Sequence, residues 1–379
     1  MTSSVPMLVS YPLLLWSLAI LLARLVLVSR TVTSRLVNLA LTLGITSGLA
    51  REGSIQSAVA TATGDVIDVP LMQQLGTVAL LLALAPLIAI ALRWRRPDRH
   101  AATTTVVMML AIVSGALMIV VGSSARASGA YIDVQPGWRT AVYFALFSAW
   151  AAFMPCLYLR ASVGELRRGQ LPAHVSVVFV LFAIVSVWGL EEAFSILLMG
   201  AFAAAGLARD FVALRVTLNE VSFIYMLALA TLCAALPLWQ AVTESLGVDR
   251  WTRSIHSLTP MWSDLIRTCP EVVLRHPVPQ SSQLHRAHRM CVEIRDSLSL
   301  LGRYVEDLSD QVSVDNRSAA EAFYLAARRR RDDEPAGAFT KVPIEPSVDL
   351  KQEVRVLAAI GRYWPTEPEH SATTQGEQQ

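Results

Sequence analysis

Long apolar segments constrain this chain more than any other feature of its sequence. About 20 helical residues cross a hydrocarbon core of roughly 30 Å, so an apolar segment of that length predicts a membrane span. The chain is 54% hydrophobic and 16% charged, whereas an ordinary soluble domain carries about 25% charged residues. We therefore predict an all-α fold in which residues 1–240 form a polytopic membrane bundle. The seven predicted spans are 7–29, 36–50, 69–92, 101–121, 141–159, 175–195 and 221–239.

The second segment, 36–50, is the weakest of the seven, because 15 residues reach only about 22 Å. The positions of the arginines favour counting it as a span. With seven spans, nine arginines fall in the short loops of one side and five in those of the other. Positive residues accumulate on the cytosolic side. We expect the amino terminus outside, the carboxyl terminus in the cytosol and the protein in the inner membrane.

The last third of the chain is polar and predicts a cytosolic helical domain over 241–364, followed by a disordered tail at 365–379. Apolar residues recur at spacings of three and four from Leu284 to Leu308, which predicts an amphipathic helix of about 25 residues. Its flanking positions are mostly uncharged, which favours a helix inside a bundle over a dimeric coiled coil. We also expect a capping box of Ser318 and Glu321 to open a helix, and Ser347 to start another over 350–363.

Three segments of this last third resemble a known family. They are 258–262 (LTPMW), 270–274 (PEVVL) and 288–296 (HRMCVEIRD). They are similar to those of an actinobacterial family of integral membrane proteins with seven spans and a cytosolic domain of unknown function. Met290 departs from the pattern, because the family often has a second arginine there. Members are labelled as transporters, so the resemblance implies this architecture and a transport-associated role.

Three charged residues in the apolar segments are candidates for transport or gating, namely Arg24, Glu191 and Glu192. Arg24 is close to the predicted inner end of its span, where a long side chain can instead reach the interface. Glu191 and Glu192 could admit a cation or a proton, or could simply lie at the outer rim. Adjacent residues on a helix point about 100° apart, so at most one of the two can face the interior. We expect the sixth span to end near this pair, followed by an amphipathic or partly embedded stretch.

A second candidate set lies on the amphipathic helix of the cytosolic domain. The set is Arg289, Glu293, Arg295 and Asp296. Arg295 flanks the apolar stripe and the other three lie away from it, where Arg289 can pair with Glu293 four residues later. This face could bind a partner or a nucleotide. A solvated charged surface is the plainer interpretation.

The sequence lacks the motifs of several functional classes. It has no Walker phosphate loop, dinucleotide-binding fingerprint, His-Glu-x-x-His motif or Gly-x-Ser-x-Gly motif. The four cysteines show no metal-binding spacing, and a net charge of +2 gives no reason to expect nucleic-acid binding. We therefore expect no catalytic residues, cofactor or metal, and do not expect an enzyme. The expected partners are the lipid bilayer and a cytosolic protein bound through 241–364.

Two functions remain open. The first is a transporter or transport-associated membrane protein of unknown substrate. The alternative is a seven-helix sensor or scaffold that signals through its cytosolic helical domain.

Overall fold

The computed structural model describes residues 5–28, 31–95, 100–169, 173–274, 283–305, 315–337 and 349–365. Within these ranges the regular elements are helices, which confirms the all-α prediction. The helices are α1 (Met7–Leu27), α2 (Val32–Arg51), α3 (Gly53–Thr63), α4 (Val69–Arg95), α5 (His100–Val121), α6 (Ser123–Ala127), α7 (Trp138–Arg168), α8 (Ala173–Ala205), α9 (Arg209–Ser245), α10 (Arg250–Thr268), α11 (Gln283–Leu301), α12 (Asn316–Arg331) and α13 (Leu350–Gly361). Short 3-10 turns lie at Ile132–Val134 and Pro270–Val272.

Six of the described helices are long and apolar enough to cross a membrane, namely α1, α4, α5, α7, α8 and α9. Many of their large apolar side chains are exposed on the protein surface, as lipid-facing residues of membrane helices are. The protein is therefore a multi-pass membrane protein.

Helix α2 contains the weak segment 36–50 and is longer than the sequence suggests. It has 20 residues and a length of about 30 Å, so the shortness inferred from the apolar segment does not apply. It is not among the helices that are apolar enough to span by composition. Nine of its residues are buried, including Asn38, Ser47 and Gly48. Asn38 and Ser47 lie on the face of α2 that packs against other helices, and that face needs no apolar surface toward lipid.

The glycines of α2 allow close helix packing, as the Gly-x-x-x-Gly spacing predicts. A Cβ at Gly48 would lie 2.7 Å from Leu14 of α1, and a Cβ at Gly44 would lie 3.2 Å from Leu227 of α9. Helices α1, α2 and α9 share one apolar cluster. A larger cluster joins α4, α5, α7, α8 and the start of α9.

Two predicted spans end or begin at the wrong residue. The sixth was expected to stop near 195, but α8 continues as one helix of 33 residues to Ala205. Glu191 and Glu192 therefore lie inside α8 and not at its end. The seventh was expected from 221, but α9 begins at Arg209. Residues 196–205 are apolar and contain no proline, so the helix can continue through them.

The contacts between residues divide the chain into two compact units, Met1–Trp239 and Gln240–Gln379. In the second unit α10, α11, α12 and α13 enclose an apolar core. The stripe on α11 faces that core, with Ile294, Leu298 and Leu301 almost fully buried. This confirms the bundle interpretation, although α11 ends at Leu301, before Gly302, and is shorter than predicted. Leu308 and all of the predicted tail except Pro365 lie outside the described residues.

The caps of the last two helices differ from those predicted. Helix α12 begins after Asp315, whose carboxylate accepts a hydrogen bond from the Ser318 backbone N–H at 2.7 Å. Ser318 is therefore inside the helix, and the capping box was wrong. Helix α13 begins after Asp349, which accepts from the Lys351 backbone N–H. Aspartate is as good a cap as serine, and Asp315 and Asp349 each lie within three residues of the predicted serine.

Candidate functional site

The first unit contains a small polar cavity of about 40 Å³. Its polar lining comes from α2, α3, α4, α9 and the turn Ile132–Val134, and its apolar lining from α7, α8 and α9. The polar residues are Arg51, Gln56, Gln73, Thr77, Asp133, Asn219 and Glu220. The apolar residues are Phe144, Phe147, Ile196, Met199 and Val216. A cavity of this volume can hold about three water molecules.

The chain brings the polar residues together where its helices reverse direction. Arg51 is the last residue of α2, and Glu52 separates it from α3. Gln56, in the first turns of α3, donates a hydrogen bond from Nε2 to the Ala50 carbonyl at 2.9 Å. That bond ties α3 back onto the end of α2 and satisfies one of the carbonyls that a helix terminus leaves open.

Asp133 enters the cavity from the short turn before α7. Its carboxylate accepts a hydrogen bond from Gln73 Nε2 of α4 at 2.7 Å. Burial raises the pKa of the Asp133 carboxyl, while the Gln73 hydrogen bond and the nearby Arg51 charge oppose this and the Glu220 charge adds to it. The turn itself is fixed by Gly137, whose N–H donates to the Ala204 carbonyl at the end of α8.

Two polar atoms at the cavity are buried without a hydrogen-bond partner among the described residues, namely Arg51 Nε and Gln73 Oε1. One is a donor and the other an acceptor. Buried polar groups are nearly always paired, so each such atom needs an explanation. Their common position at one cavity fits a site that receives polar molecules.

A second cavity of about 20 Å³ adjoins the first. Arg51 and Glu220 line both, and Glu52 and Ser10 line the second alone. Ser10 is 1% exposed, and its hydroxyl has no partner among the described residues. The Arg51 guanidinium also lies over the Phe223 ring, 4.7 Å from its centroid. The two cavities therefore form one polar region around Arg51.

The two adjacent acidic residues of α8 lie in different environments. Glu192 accepts hydrogen bonds from Arg215 of α9 at 2.7 Å and from the Ser222 hydroxyl at 2.8 Å, whereas Glu191 is exposed. Only one of the two faces the interior, as helix geometry requires. Glu192 lies one turn from Ile196, which lines the cavity. Its partners on α9 lie within one turn of cavity residues.

Arg24 is enclosed by the helix bundle, and its side chain does not extend to the protein surface. It is 2% exposed. Its Nε donates to Asn38 Oδ1 at 2.9 Å and its Nη1 donates to the Ala234 carbonyl at 2.6 Å. The guanidinium thereby joins α1, α2 and α9. It does not line either cavity.

The proposed charged face of the second unit is not a single surface. Glu293 is 0% exposed and accepts hydrogen bonds from Arg289, from Trp262 Nε1 and from the Leu274 backbone N–H. The solvated interpretation of Glu293 was therefore wrong, although its pairing with Arg289 is confirmed.

The other two residues of that face lie in different surroundings. Arg295 forms an ion pair with Glu353 of α13, and Asp296 is exposed. The segments 258–262, 270–274 and 288–296 meet at Glu293, so the most specific sequence signal of the chain marks a structural network.

Little in the sequence indicates which residues line the cavity. Arg51, Asp133 and Glu220 fall between the predicted spans, where charged residues are common, and Gln73 lies near the start of the third predicted span. One signal was available, since Gln73 and Gln74 are adjacent amides at the start of an apolar segment. Gln74 is buried and donates to the Gly122 carbonyl at 3.0 Å.

Comparison with known proteins supports a domain assignment for the second unit only. No curated protein and no solved structure matches the chain. Residues 248–367 match the model of a family of unknown function, DUF6545. The match covers α10 to α13 and includes all three segments that meet at Glu293. The carboxyl-terminal part of this multi-pass membrane protein is therefore similar to a family of unknown function.

Proposed function

We propose that the protein is a membrane transporter or transport-associated protein whose solute site is the polar cavity around Arg51 and Gln73. The observation that carries the proposal is a buried donor and a buried acceptor, both unpaired among the described residues, at one cavity of a membrane bundle. Polar groups inside membrane proteins are costly and mark substrate or ion pathways. The cavity would bind a solute on its way through the membrane, and no catalytic reaction is proposed for the chain.

The proposal places the protein in the cell membrane with an outer amino terminus and a cytosolic second unit. Nine arginines against five in the short loops support this orientation. The cavity then opens toward the outer side, because α4, α7 and α9 begin at that end. A reporter that is active only in the periplasm, fused after Gln240, should be inactive. Activity of that fusion would reverse the orientation.

Transport is tested by reconstituting the full chain in liposomes and measuring uptake across a panel of small polar solutes and ions. We expect Glu192→Gln to reduce flux, because Arg215 loses the charge of its partner beside the cavity. Glu191→Gln is the matched control, since Glu191 is exposed on the same helix. No flux for any solute in the panel contradicts transport, provided that the reconstituted protein is monodisperse before insertion.

A sensor or scaffold is the second candidate, and one feature of α9 favours it. Val216, Asn219 and Glu220 of α9 line the cavity, and the same helix continues unbroken to Ser245. A shift of this helix on solute binding would be transmitted beyond Trp239, and from there to a cytosolic partner of residues 241–364. Truncation after Trp239 separates the two functions. Full flux without the second unit contradicts the sensor, whereas solute-dependent hydrogen exchange in α10 without any flux supports it.

A further inference from the structure

The charged residues that line the cavity favour a cation over an anion. Among its lining residues are two carboxylates, Asp133 and Glu220, and one guanidinium, Arg51. The guanidinium also lies against the Phe223 ring, which attracts positive charge. With both carboxylates ionised, the lining carries one net negative charge.

The hydrogen-bonding groups favour a ligand with N–H donors. Gln73 Oε1 is an acceptor without a partner among the described residues. The described residues give Asp133 one hydrogen bond, from Gln73, although a carboxylate has about four acceptor positions. Burial makes the charged form of Asp133 costly and raises its pKa, and a cation in contact with the carboxylate would offset that cost.

Two phenyl rings complete the wall. Phe144 and Phe147 line the cavity and are 5% and 6% exposed. Ring faces attract ammonium groups, whereas hard metal ions prefer a shell of oxygen ligands. Within the described ranges no group of three His, Cys, Asp or Glu side chains could hold a metal ion. A volume of about 40 Å³ accepts a ligand no larger than about three water molecules.

We propose that the cavity binds a small ammonium-type cation, of the size of ammonium or methylammonium, through Asp133, Gln73 and the Phe147 ring. The inference rests on the proposed function in one respect, namely that this cavity is a ligand site. Binding and flux are measured separately, so either can fail without the other.

The test is equilibrium dialysis of radiolabelled methylammonium against the purified full chain in detergent, at fixed ionic strength. We expect saturable binding that ammonium chloride displaces. Tetramethylammonium chloride should not displace it, because that ion has no N–H donor and is too large. Equal displacement by sodium chloride and ammonium chloride would overturn the ammonium assignment in favour of an alkali cation.

Substitutions of single carboxylates test whether methylammonium binds at this cavity. Asp133→Asn should weaken binding about tenfold or more, since a charge-assisted hydrogen bond is lost. The matched control is Asp210→Asn, an exposed carboxylate on α9 that should bind as the wild type does. Unchanged binding by Asp133→Asn would refute the proposal.

A second pair of variants decides the matter if Asp133→Asn does not fold. Phe147→Leu removes a ring from the cavity wall, and Phe153→Leu removes an exposed ring of the same helix. Only the first should weaken methylammonium binding, by severalfold, and equal binding by both contradicts the assignment. Binding without flux leaves the cavity assignment intact and contradicts transport. Flux of another solute without methylammonium binding supports transport and contradicts the ammonium assignment.

Discussion

Replacing Glu293 by glutamine tests whether the buried network of the second unit stabilises its fold. One carboxylate oxygen accepts from the Leu274 N–H at 2.9 Å and from Arg289 Nε at 2.8 Å, and the other accepts from Trp262 Nε1 at 2.7 Å. A glutamine has one acceptor oxygen and one amide group. If its oxygen keeps the first two bonds, its NH₂ meets the Trp262 N–H, and two donors face each other.

The expected loss of stability follows from these hydrogen bonds. Losing a hydrogen bond to a charged acceptor costs about 1.5–3 kcal/mol, and leaving a buried donor unpaired costs about 1–3 kcal/mol. Arg289 also loses its charged partner, but its side chain is 25% exposed, so water replaces part of that interaction. We expect a loss of about 2–4 kcal/mol in the free energy of unfolding of this unit. That corresponds to a rise of about 30- to 1,000-fold in the opening equilibrium.

Hydrogen exchange of the full chain, read by mass spectrometry on peptides of α10 and α11, measures this opening directly. The matched control is Glu321→Gln, because Glu321 pairs with Arg317 on the exposed surface of α12. Its exchange should change by less than about twofold. If the α10 and α11 peptides of Glu293→Gln exchange within about threefold of the wild-type rate, the network contributes little to stability. That result would contradict the predicted loss in the free energy of unfolding.

Three further predictions concern packing, the intramembrane arginine and the cysteines. Gly200→Ala should lower the thermal unfolding midpoint of the membrane unit, because a Cβ there would overlap with Phe144. Arg24→Met should also lower that midpoint, because it leaves the Asn38 and Ala234 acceptors unpaired between three helices. Burial raises the pKa of Cys269 to about 11 and that of Cys291 to about 12. Both stay protonated in the fold while an unfolded chain ionises above about pH 8.5. Stability therefore falls as pH rises from there, by on the order of 1 kcal/mol for each cysteine near pH 9.5, as chemical denaturation should show.

Controls for these three are available in the same chain. Gly164→Ala places its Cβ in open space and should not lower the midpoint. Arg139→Met changes an exposed arginine and should have little effect. Replacing Cys269 and Cys291 by alanine should flatten the alkaline loss, and an unchanged pH slope in that double variant would contradict the assignment to these thiols.

The sequence by itself determined the class of fold and the approximate position of its membrane helices. Apolar segments and the 3–4 spacing on α11 are local patterns, and each is encoded in neighbouring residues whose environment follows from their own composition. The burial of Ile294, Leu298 and Leu301 could therefore be predicted. Helix ends were less certain, because several residues in each region, such as Asp315 and Ser318, could serve as the cap.

Only the tertiary structure decided which polar groups meet. Arg24 bonds to a carbonyl 210 residues away, and Asp133 meets Gln73 across 60 residues. A charged residue has the same sequence signature whether it faces water, pairs inside a bundle or lines a cavity. The difference depends on what the fold places beside it. This is why Glu293 was predicted to be solvated but is buried. It is also why the apolar segments did not predict the polar cavity, since most of its lining residues lie outside the seven predicted spans.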